Sequence, residues 1–269
     1  MNILVSNDDG IFARGLWTLV KELLKVGNVI VVAPDREQSA IGTALTLRQP
    51  LRVQRIECTP LPVETWAVEG TPGDAVVMAL AKLVKDKVDL VISGINHGPN
   101  MGDDVLISGT VGAALQGYQR GVPAIAVSLV SRWDKMENPN DEPAAKVTAL
   151  LSKRVASGEL AGNIFLNVNA PDLPLGEIKG IKVTRLAHET HIETVEEGND
   201  GKRAYFWLVR RNIYQNPEKG TDIHSIEEKN ISITNLHTLL SRRHYKQITD
   251  EECAAIFAEL KSGEAEKVK

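Results

Sequence analysis

The chain is poor in aromatic residues and in cysteine. Aromatic side chains make up 4% of its 269 residues, too few for the stacking platform that binds single-stranded nucleic acid. Cys58 and Cys253 lie far apart in sequence, so they give neither a metal-binding spacing nor a disulfide framework. The formal net charge of −4 argues against a nonspecific nucleic-acid-binding protein.

Long apolar runs are also missing. No stretch reaches transmembrane length, and no basic segment followed by an apolar one resembles a secretion signal. We therefore expect a cytoplasmic protein. With 43% hydrophobic residues, the chain can bury one large core, or a core plus a smaller subdomain.

What the sequence does contain is an alternation of short apolar runs and helical stripes. Residues 3–5 form a short branched run that predicts a strand buried on both faces, and residues 11–26 carry a helical stripe. Residues 28–33 form a second buried strand, so this opening predicts a right-handed crossover in a parallel sheet. Further strands are predicted at 88–92, 123–128 and 164–168. The expected fold class is α/β.

The pattern changes after about residue 174. Beyond it we predict strands at 181–186, 204–209 and 231–234. We also predict a polar turn at 196–202 and a final helix at 249–261. We therefore predict a catalytic core over 1–175 and a hairpin-rich extension over 176–269. An extension of this kind often builds oligomer contacts or covers a site.

Two adjacent carboxylates, Asp8 and Asp9, follow the first predicted strand. Open α/β sheets place ligands at the carboxyl ends of their strands. Adjacent anions repel each other unless a cation neutralises them, and oxygen ligands suit Mg²⁺ or Mn²⁺. The alternative is structural, because Asn-Asp-Asp-Gly is also good turn and helix-capping chemistry.

Loops after other predicted strands carry further oxygen donors. Ser39 follows the second strand, and Asn96 follows the strand at 88–92. Because parallel strands share one carboxyl edge, these side chains should converge with Asp8 and Asp9 around a hard cation. The simpler alternatives are a helix cap for Ser39 and a turn-stabilising side chain for Asn96.

A run of small residues, Ser108, Gly109 and Thr110, opens a predicted helix. Its free backbone N–H groups and hydroxyls form a natural cradle for phosphate. A cation beside such a helix start indicates phosphoryl chemistry, and we expect direct attack of a metal-activated water on a phosphomonoester. An aspartyl-phosphate intermediate is an alternative that the residues do not require.

Together these segments resemble the SurE family (survival protein E) of metal-dependent 5′/3′-nucleotidases. The likeness runs from residue 3 to about residue 236. The matching segments are Ile3-Leu-Val-Ser-Asn-Asp-Asp-Gly10, Ala33-Pro-Asp-Arg-Glu-Gln-Ser39, Gly70-Thr-Pro-Gly-Asp74, Ser93-Gly-Ile-Asn-His-Gly-Pro-Asn100, Ser108-Gly-Thr-Val-Gly-Ala-Ala114, Pro123-Ala-Ile-Ala-Val-Ser128 and Gly220-Thr-Asp222 with Ile231-Ser-Ile-Thr234.

The resemblance implies a Rossmann-like parallel sheet with helices on both faces, and a hairpin extension used in homodimers or homotetramers. It implies one divalent cation (Mg, Mn or Co) per subunit and hydrolysis of nucleoside monophosphates, with short polyphosphate as a further substrate in some members. Two residue sets follow. The metal ligands fall on Asp8, Asp9, Ser39 and Asn96, of which the carboxylates Asp8 and Asp9 are also the catalytic residues. The phosphate-side positions fall on Asn96, Asn100, Ser108, Gly109 and Thr110.

The chain departs from the family pattern at a few positions, none of which removes a ligand. The family often has Ala-Pro-Gly where this chain has Ala13-Arg14-Gly15, and a tyrosine where it has Ile107. These two departures bear on substrate preference. His97 is a candidate general base that sequence alone does not place against the metal, while Asp103 and Asp104 are expected to be solvated loop residues or partners of the ligands.

Three other functions fit the residues less well. A receiver module needs a lysine after a late strand, and none follows residues 123–128. A dinucleotide oxidoreductase needs a Gly-x-Gly-x-x-Gly turn after the first strand, which is absent. A non-catalytic scaffold would have no use for all four oxygen donors.

Overall fold

A nine-stranded sheet runs through the part of the chain that the computed structural model describes, residues 1–131, 138–188, 192–210 and 217–237. Its strands are β1 (Asn2–Ser6), β2 (Asn28–Pro34), β3 (Val53–Arg55), β4 (Glu64–Val68), β5 (Leu90–His97), β6 (Ala124–Val130), β7 (Phe165–Pro171), β8 (Gly180–Thr184) and β11 (Asn230–Asn235). The order is β3-β4-β2-β1-β5-β6-β7-β11-β8. Six neighbours in this order run parallel to one another, namely β4, β2, β1, β5, β6 and β7. The predicted α/β class is confirmed.

The strand order reverses beside β1. The chain places β2 and β4 on one side of β1 and then crosses to β5, β6 and β7 on the other. In open sheets of this kind the crevice beyond the carboxyl ends of the strands at the reversal is where ligands bind. The topology therefore points to the ends of β1 and β5.

Helices cover both faces of the sheet. They are α1 (Arg14–Leu23), α2 (Pro72–Met78, continued by a wider turn over Ala79–Leu83), α3 (Gly109–Gln119), α4 (Asp141–Ser157) and the short α5 (Asp222–Glu227). On one face α1 packs against α4, and on the other α2 packs against α3. The side chains of β1 alternate between the two cores, Ile3 and Val5 in one and Leu4 in the other, as expected for a strand buried on both faces.

One prediction about the late region, the position of its polar turn, needs correction. Although β8 and β11 follow residue 175, they join the main sheet, and residues 1–236 form one compact unit. The predicted turn over 196–202 begins too early, because β9 (Ile192–Asn199) pairs with β10 (Ala204–Arg210) as a separate antiparallel ribbon. The side chains of residues 195–199 are exposed or half-buried, so burial imposes no apolar alternation on this polar end of β9, and it gave no strand signal in the sequence.

The strands predicted at 181–186, 204–209 and 231–234 correspond to β8, β10 and β11, whereas two other expectations for the late region have no structural test. The predicted tail helix at 249–261 lies outside the described residues, and the division into a core and an extension stays a prediction. Within the described residues, no helix is long and apolar enough to cross a membrane.

Candidate active site

A cavity of about 350 Å³ opens at the carboxyl ends of β1 and β5, where the strand order reverses. Residues from three separate loops, those after β1, β2 and β5, meet there. Those predicted from the sequence that line it are Asp8, Asp9, Ser39, Asn96, Asn100 and Ser108. The expected convergence of distant loops at one rim is therefore what the structure shows, while the roles of these side chains remain to be tested.

Asp8 is held against the start of α3. Its side chain is only 5% exposed, and its Oδ1 accepts a 2.5 Å hydrogen bond from the hydroxyl of the fully buried Thr110. The Asp8 carbonyl accepts a bond from the backbone N–H of Gln38, 2.7 Å away. Asp8, at the end of β1, is thus held by two contacts: its carboxylate by α3 and its backbone carbonyl by the segment after β2.

Gly109 makes that close approach possible. A Cβ atom at this position would lie 2.8 Å from the Cβ of Asp8 and 2.9 Å from its Oδ2. Any larger side chain would push α3 away from Asp8 and break the bond from Thr110. Gly109 and Thr110 therefore stand behind Asp8, and Ser108, which accepts a hydrogen bond from Val111 N at 3.1 Å as the helix cap, faces the cavity.

Asp9 joins the end of β1 to the end of β5, because its Oδ2 accepts a 3.3 Å hydrogen bond from the backbone N–H of His97. Burial raises the pKa of Asp8 to about 7, and the neighbouring charge of Asp9 adds to the rise. Burial also raises the pKa of Asp9. Burial thus disfavours the charged form of both carboxylates, and a bound cation would favour ionisation of both.

The donor set fits a hard divalent cation. Asn96 donates its amide N–H to the carbonyl of Gly98 at 2.8 Å, so its amide oxygen is the atom left to ligate. The Ser39 hydroxyl donates to Glu37 Oε1 at 2.6 Å, and no helix begins at Ser39 in the described ranges, which removes the capping alternative. Oxygen donors of this kind suit Mg²⁺ or Mn²⁺ better than a thiophilic metal.

The carboxylates alone would not complete a coordination sphere. Among the residues that the structure describes, no cluster of three or more His, Cys, Asp or Glu side chains is arranged to hold a metal. The neutral oxygens of Ser39 and Asn96, with water, would have to supply the remaining positions. Such a mixed sphere is common for Mg²⁺, which keeps several waters when bound.

Asn100 is fixed by a buried polar network beneath the cavity. Its amide N–H₂ donates to Ser128 Oγ at 2.8 Å, and its backbone N–H donates to Asn169 Oδ1 at 3.0 Å. Its carbonyl accepts bonds from the amides of Asn167 and Asn169, at 2.7 and 3.0 Å. Strands β6 and β7 thereby hold the loop that carries Asn100 in one position, with few polar groups left unpaired.

Sequence reasoning named His97 and Arg14 but missed Asp141, the acid that contacts both of them beside the cavity. His97 lines it and hydrogen-bonds through Nε2 to Asp141 Oδ1 at 2.7 Å, and this bond raises the pKa of His97. Arg14 also lines the cavity, with its Nε 3.5 Å from Asp141 Oδ2. Asp141 is distant in sequence, and an acid in the first turn of α4 looks like ordinary helix chemistry, so no local pattern could have revealed it.

Sequence analysis did not predict the burial of two further acids, Asp104 and Asp222. Asp104 was expected to be a solvated loop residue or a partner of the ligands, but it is only 3% exposed and lines the cavity itself. Asp222 is fully buried, and its carboxylate accepts bonds from Gly102 N and Ala187 N, both at 2.9 Å. Asp222 thereby anchors the loop between β5 and α3 to the late part of the chain.

Comparison with known proteins gives consistent matches along most of the chain. The family model described as Survival protein SurE matches residues 3–193. A curated protein from Dehalococcoides mccartyi, named 5′-nucleotidase SurE, is 56% identical over 97% of this chain and 98% of its own length. One with the same name from Pelobacter propionicus is 44% identical over 88% of this chain and 93% of its own length.

A solved structure agrees as well. The crystal structure of the SurE protein from Aquifex aeolicus superposes with a TM-score of 0.77 at 38% sequence identity, covering 90% of this chain and 95% of that one.

Proposed function

Because the chain belongs to the SurE family, we propose that it is a 5′-nucleotidase whose activity depends on a divalent cation. It hydrolyses nucleoside 5′- and 3′-monophosphates to nucleoside and phosphate, with short-chain polyphosphate as a further substrate. Nucleotidase activity is supported by relatives of that name that match 88% to 97% of this chain. The observation that carries the metal-dependent mechanism is the meeting of Asp8, Asp9, Ser39 and Asn96 in one cavity.

Four oxygen-bearing side chains would hold the cation: Asp8, Asp9, Ser39 and Asn96. The bound ion would supply a Lewis acid for a phosphoryl oxygen and lower the pKa of water. Asp8 is the most firmly positioned of the four, because Thr110 and Gly109 fix it from behind. Its carboxylate then keeps one geometry, which the preorganised site requires.

The phosphate group would lie beside the start of α3. Ser108 faces the cavity there, and Asn100 approaches it from the loop after β5. The backbone of Gly109 and Thr110 belongs to the same helix start, where the partial positive charge of the helix favours an anion. Thr110 itself is fully buried, so its side chain acts through Asp8 and not on the substrate.

The reaction would be a direct displacement, in which water attacks phosphorus and the nucleoside oxygen leaves with a proton. Asp8 or Asp9 would orient the water through a carboxylate oxygen, because both line the cavity. His97 also lines the cavity and is held by Asp141, which makes it a candidate to transfer a proton to the leaving oxygen.

Phosphate release from a panel of nucleoside 5′- and 3′-monophosphates and short polyphosphate tests this function directly. The assay is run with Mg²⁺, Mn²⁺ and Co²⁺, and with excess chelator. We expect release from nucleoside monophosphates with at least one of the cations and none with chelator. Absence of release from every nucleotide under all conditions would refute the proposed activity, and release in chelator would refute the metal dependence.

We also propose that the β9–β10 ribbon forms contacts in a homodimer or homotetramer. Its side chains Tyr205, Phe206, Trp207 and Leu208 are 46% to 74% exposed, and adjoining exposed apolar side chains of this kind mark contact surfaces between proteins. A second copy of the chain would bury this surface. The expected cytoplasmic location stays a prediction.

A further inference from the structure

We propose that Arg14 is an additional binding residue for the phosphate group of the substrate. The inference rests on the proposed function, because it assumes that a phosphomonoester enters the cavity beside Asp8. It assigns a role to a side chain outside the four cation-binding positions and the α3 helix start.

Arg14 reaches the cavity because α1 begins very close to the end of β5. It is the first residue of α1, and the next residue, Gly15, touches β5. A Cβ atom on Gly15 would lie 2.3 Å from the carbonyl oxygen of Ile95 and 3.3 Å from His97 Nε2. Only glycine permits this approach, which places the Arg14 side chain on the wall of the cavity.

The Arg14 side chain is braced from one side only. Its Nη2 donates to the carbonyl of Pro139 at 3.2 Å, and its Nε lies 3.5 Å from Asp141 Oδ2. Asp141 is only 2% exposed and also binds His97, so it is a rigid anchor. Because the Arg14 side chain is still 56% exposed, a guanidinium with five donors keeps some of them for a ligand.

Local physics alone does not favour an arginine at this position. The amino end of a helix carries partial positive charge, so a cation in the first turn is mildly unfavourable. The first turn of α1 has no acidic residue to offset it. Asp141, from the amino end of α4, supplies the compensating charge across the groove between the two helices.

The charge of the cavity supports the same role. Four carboxylates line it, Asp8, Asp9, Glu37 and Asp104, against two basic side chains, Arg14 and His97. A divalent cation offsets two of those carboxylates, yet a phosphate dianion would still meet a negative wall. The planar guanidinium fork of Arg14 matches two phosphate oxygens, so it lowers that repulsion where the substrate enters.

The test compares Arg14→Gln, Arg14→Lys and the control Arg52→Gln. Arg52 is similarly exposed at 74% and is also paired with an acid, Glu69, but does not line the cavity. For each protein we would measure KM and kcat for a nucleoside monophosphate and for p-nitrophenyl phosphate. Calorimetric titration with inorganic phosphate in the presence of Mg²⁺ gives a binding constant that does not depend on turnover.

We expect Arg14→Gln to raise KM for both substrates and to weaken phosphate binding, each by about tenfold or more, with a smaller change in kcat. An equal effect on both substrates separates contact with phosphate from contact with the nucleoside. Arg14→Lys keeps the charge without the fork and should fall between Arg14→Gln and the wild type. Arg52→Gln should match the wild type.

Phosphate binding by Arg14→Gln within twofold of the wild type would overturn the inference, even if activity falls. Should Arg14→Gln fail to fold, Arg14→Lys decides instead: unchanged phosphate binding and KM would count against any contact through the fork. Failure of the proposed function has a separate signature, since the wild-type protein would then release no phosphate from any nucleotide. The calorimetric comparison would still be valid in that case.

Discussion

The two edges of the main sheet carry very different cavities. The amino ends of β1, β5 and β6 border a cavity of about 1030 Å³, roughly three times the volume of the 350 Å³ cavity at the carboxyl ends. The larger one is bordered by exposed Lys85, Asp86 and Lys87 and by the ends of helices. The smaller one gathers acids, amides and hydroxyls from three loops, and Asp8, Asn100, Asp104 and Ser108 among them are buried.

Size therefore does not locate the chemistry in this protein. At the amino edge the charged side chains of Lys85, Asp86 and Lys87 are exposed to solvent. At the carboxyl edge, burial raises the pKa of Asp8 to about 7 and raises that of Asp9. Perturbed carboxylates in a small cleft indicate function better than a wide groove does.

The largest effect is expected from Asp8→Asn. Replacing a residue that supports a metal ligand typically lowers metal affinity or activity by about 10- to 100-fold. Removing the charge of a ligand itself should therefore lower kcat/KM by at least about 100-fold. The metal-free variant should melt at or above the wild-type temperature, because a buried charge without a partner has been removed. Phosphate-release kinetics and thermal melting measure the two effects.

The matched control lies on the opposite edge. Asp86→Asn changes an exposed acid beside the larger cavity and should leave kcat/KM within twofold of the wild type. If both variants lose activity to the same degree, the contrast between the edges is wrong. Full activity in Asp8→Asn would remove Asp8 from the site.

The next effect is on stability, in the network beneath the cavity. Asn169→Ala removes the acceptor of the Asn100 N–H and the donor to its carbonyl, both at 3.0 Å and buried. We expect a loss of about 1–3 kcal/mol in the free energy of unfolding and a rise in KM as the loop loosens. Denaturant unfolding measures the first and steady-state kinetics the second. A fully active, equally stable variant would show that the network does not position Asn100.

Stability should also depend on pH through Asp8. Its pKa rises from 3.8 when unfolded to about 7 when folded, so the folded protein holds a proton that the unfolded chain has released. This contribution is full below pH 4 and is lost as pH rises through 7. Without metal, the melting temperature should fall by on the order of 5 °C between pH 5 and pH 8.

Divalent cation should reverse that fall at pH 8 and act weakly at pH 5, because binding requires the ionised carboxylate. The control is Asp8→Asn, in which most of the pH dependence and of the stabilisation by Mg²⁺ should vanish. Equal stabilisation by Mg²⁺ at pH 5 and pH 8 in the wild type would contradict the assignment.

The smallest effect on folding is expected at the β9–β10 ribbon. Trp207→Ser changes a side chain that is 66% exposed, so the free energy of unfolding of a monomer should change by about 0.5 kcal/mol or less. The oligomer, however, should dissociate at higher protein concentration than the wild type. Sedimentation at several concentrations measures this, and an unchanged assembly would exclude Trp207 from the contact.

Much of the fold was predictable because its signals are local. The run Ile3, Leu4 and Val5 reads as a doubly buried strand, and the structure divides those side chains between two cores. Thr71 and Asp74, three residues apart at the start of α2, form a reciprocal capping box. Neighbours in sequence decide both features.

Other features depend on partners that are distant in sequence. Asp104 sits in a polar run that resembles a solvated loop, yet the packing of that loop buries it against the cavity. The described side chains of the ribbon strand β9, residues 195–199, are exposed or half-buried, so they follow no apolar period. Periodicity predicts strands only where burial selects for it.

The amino-acid sequence alone specifies the parallel α/β sheet and the loops that carry oxygen donors, because a buried strand and the loop after it are each encoded by consecutive residues. Only the tertiary structure decided that Asp141 holds His97 and lies beside Arg14, and that Gly109 seats α3 against Asp8. Those contacts join residues more than 40 positions apart, and their geometry depends on how helices pack on the sheet. A local pattern carries no information about that packing.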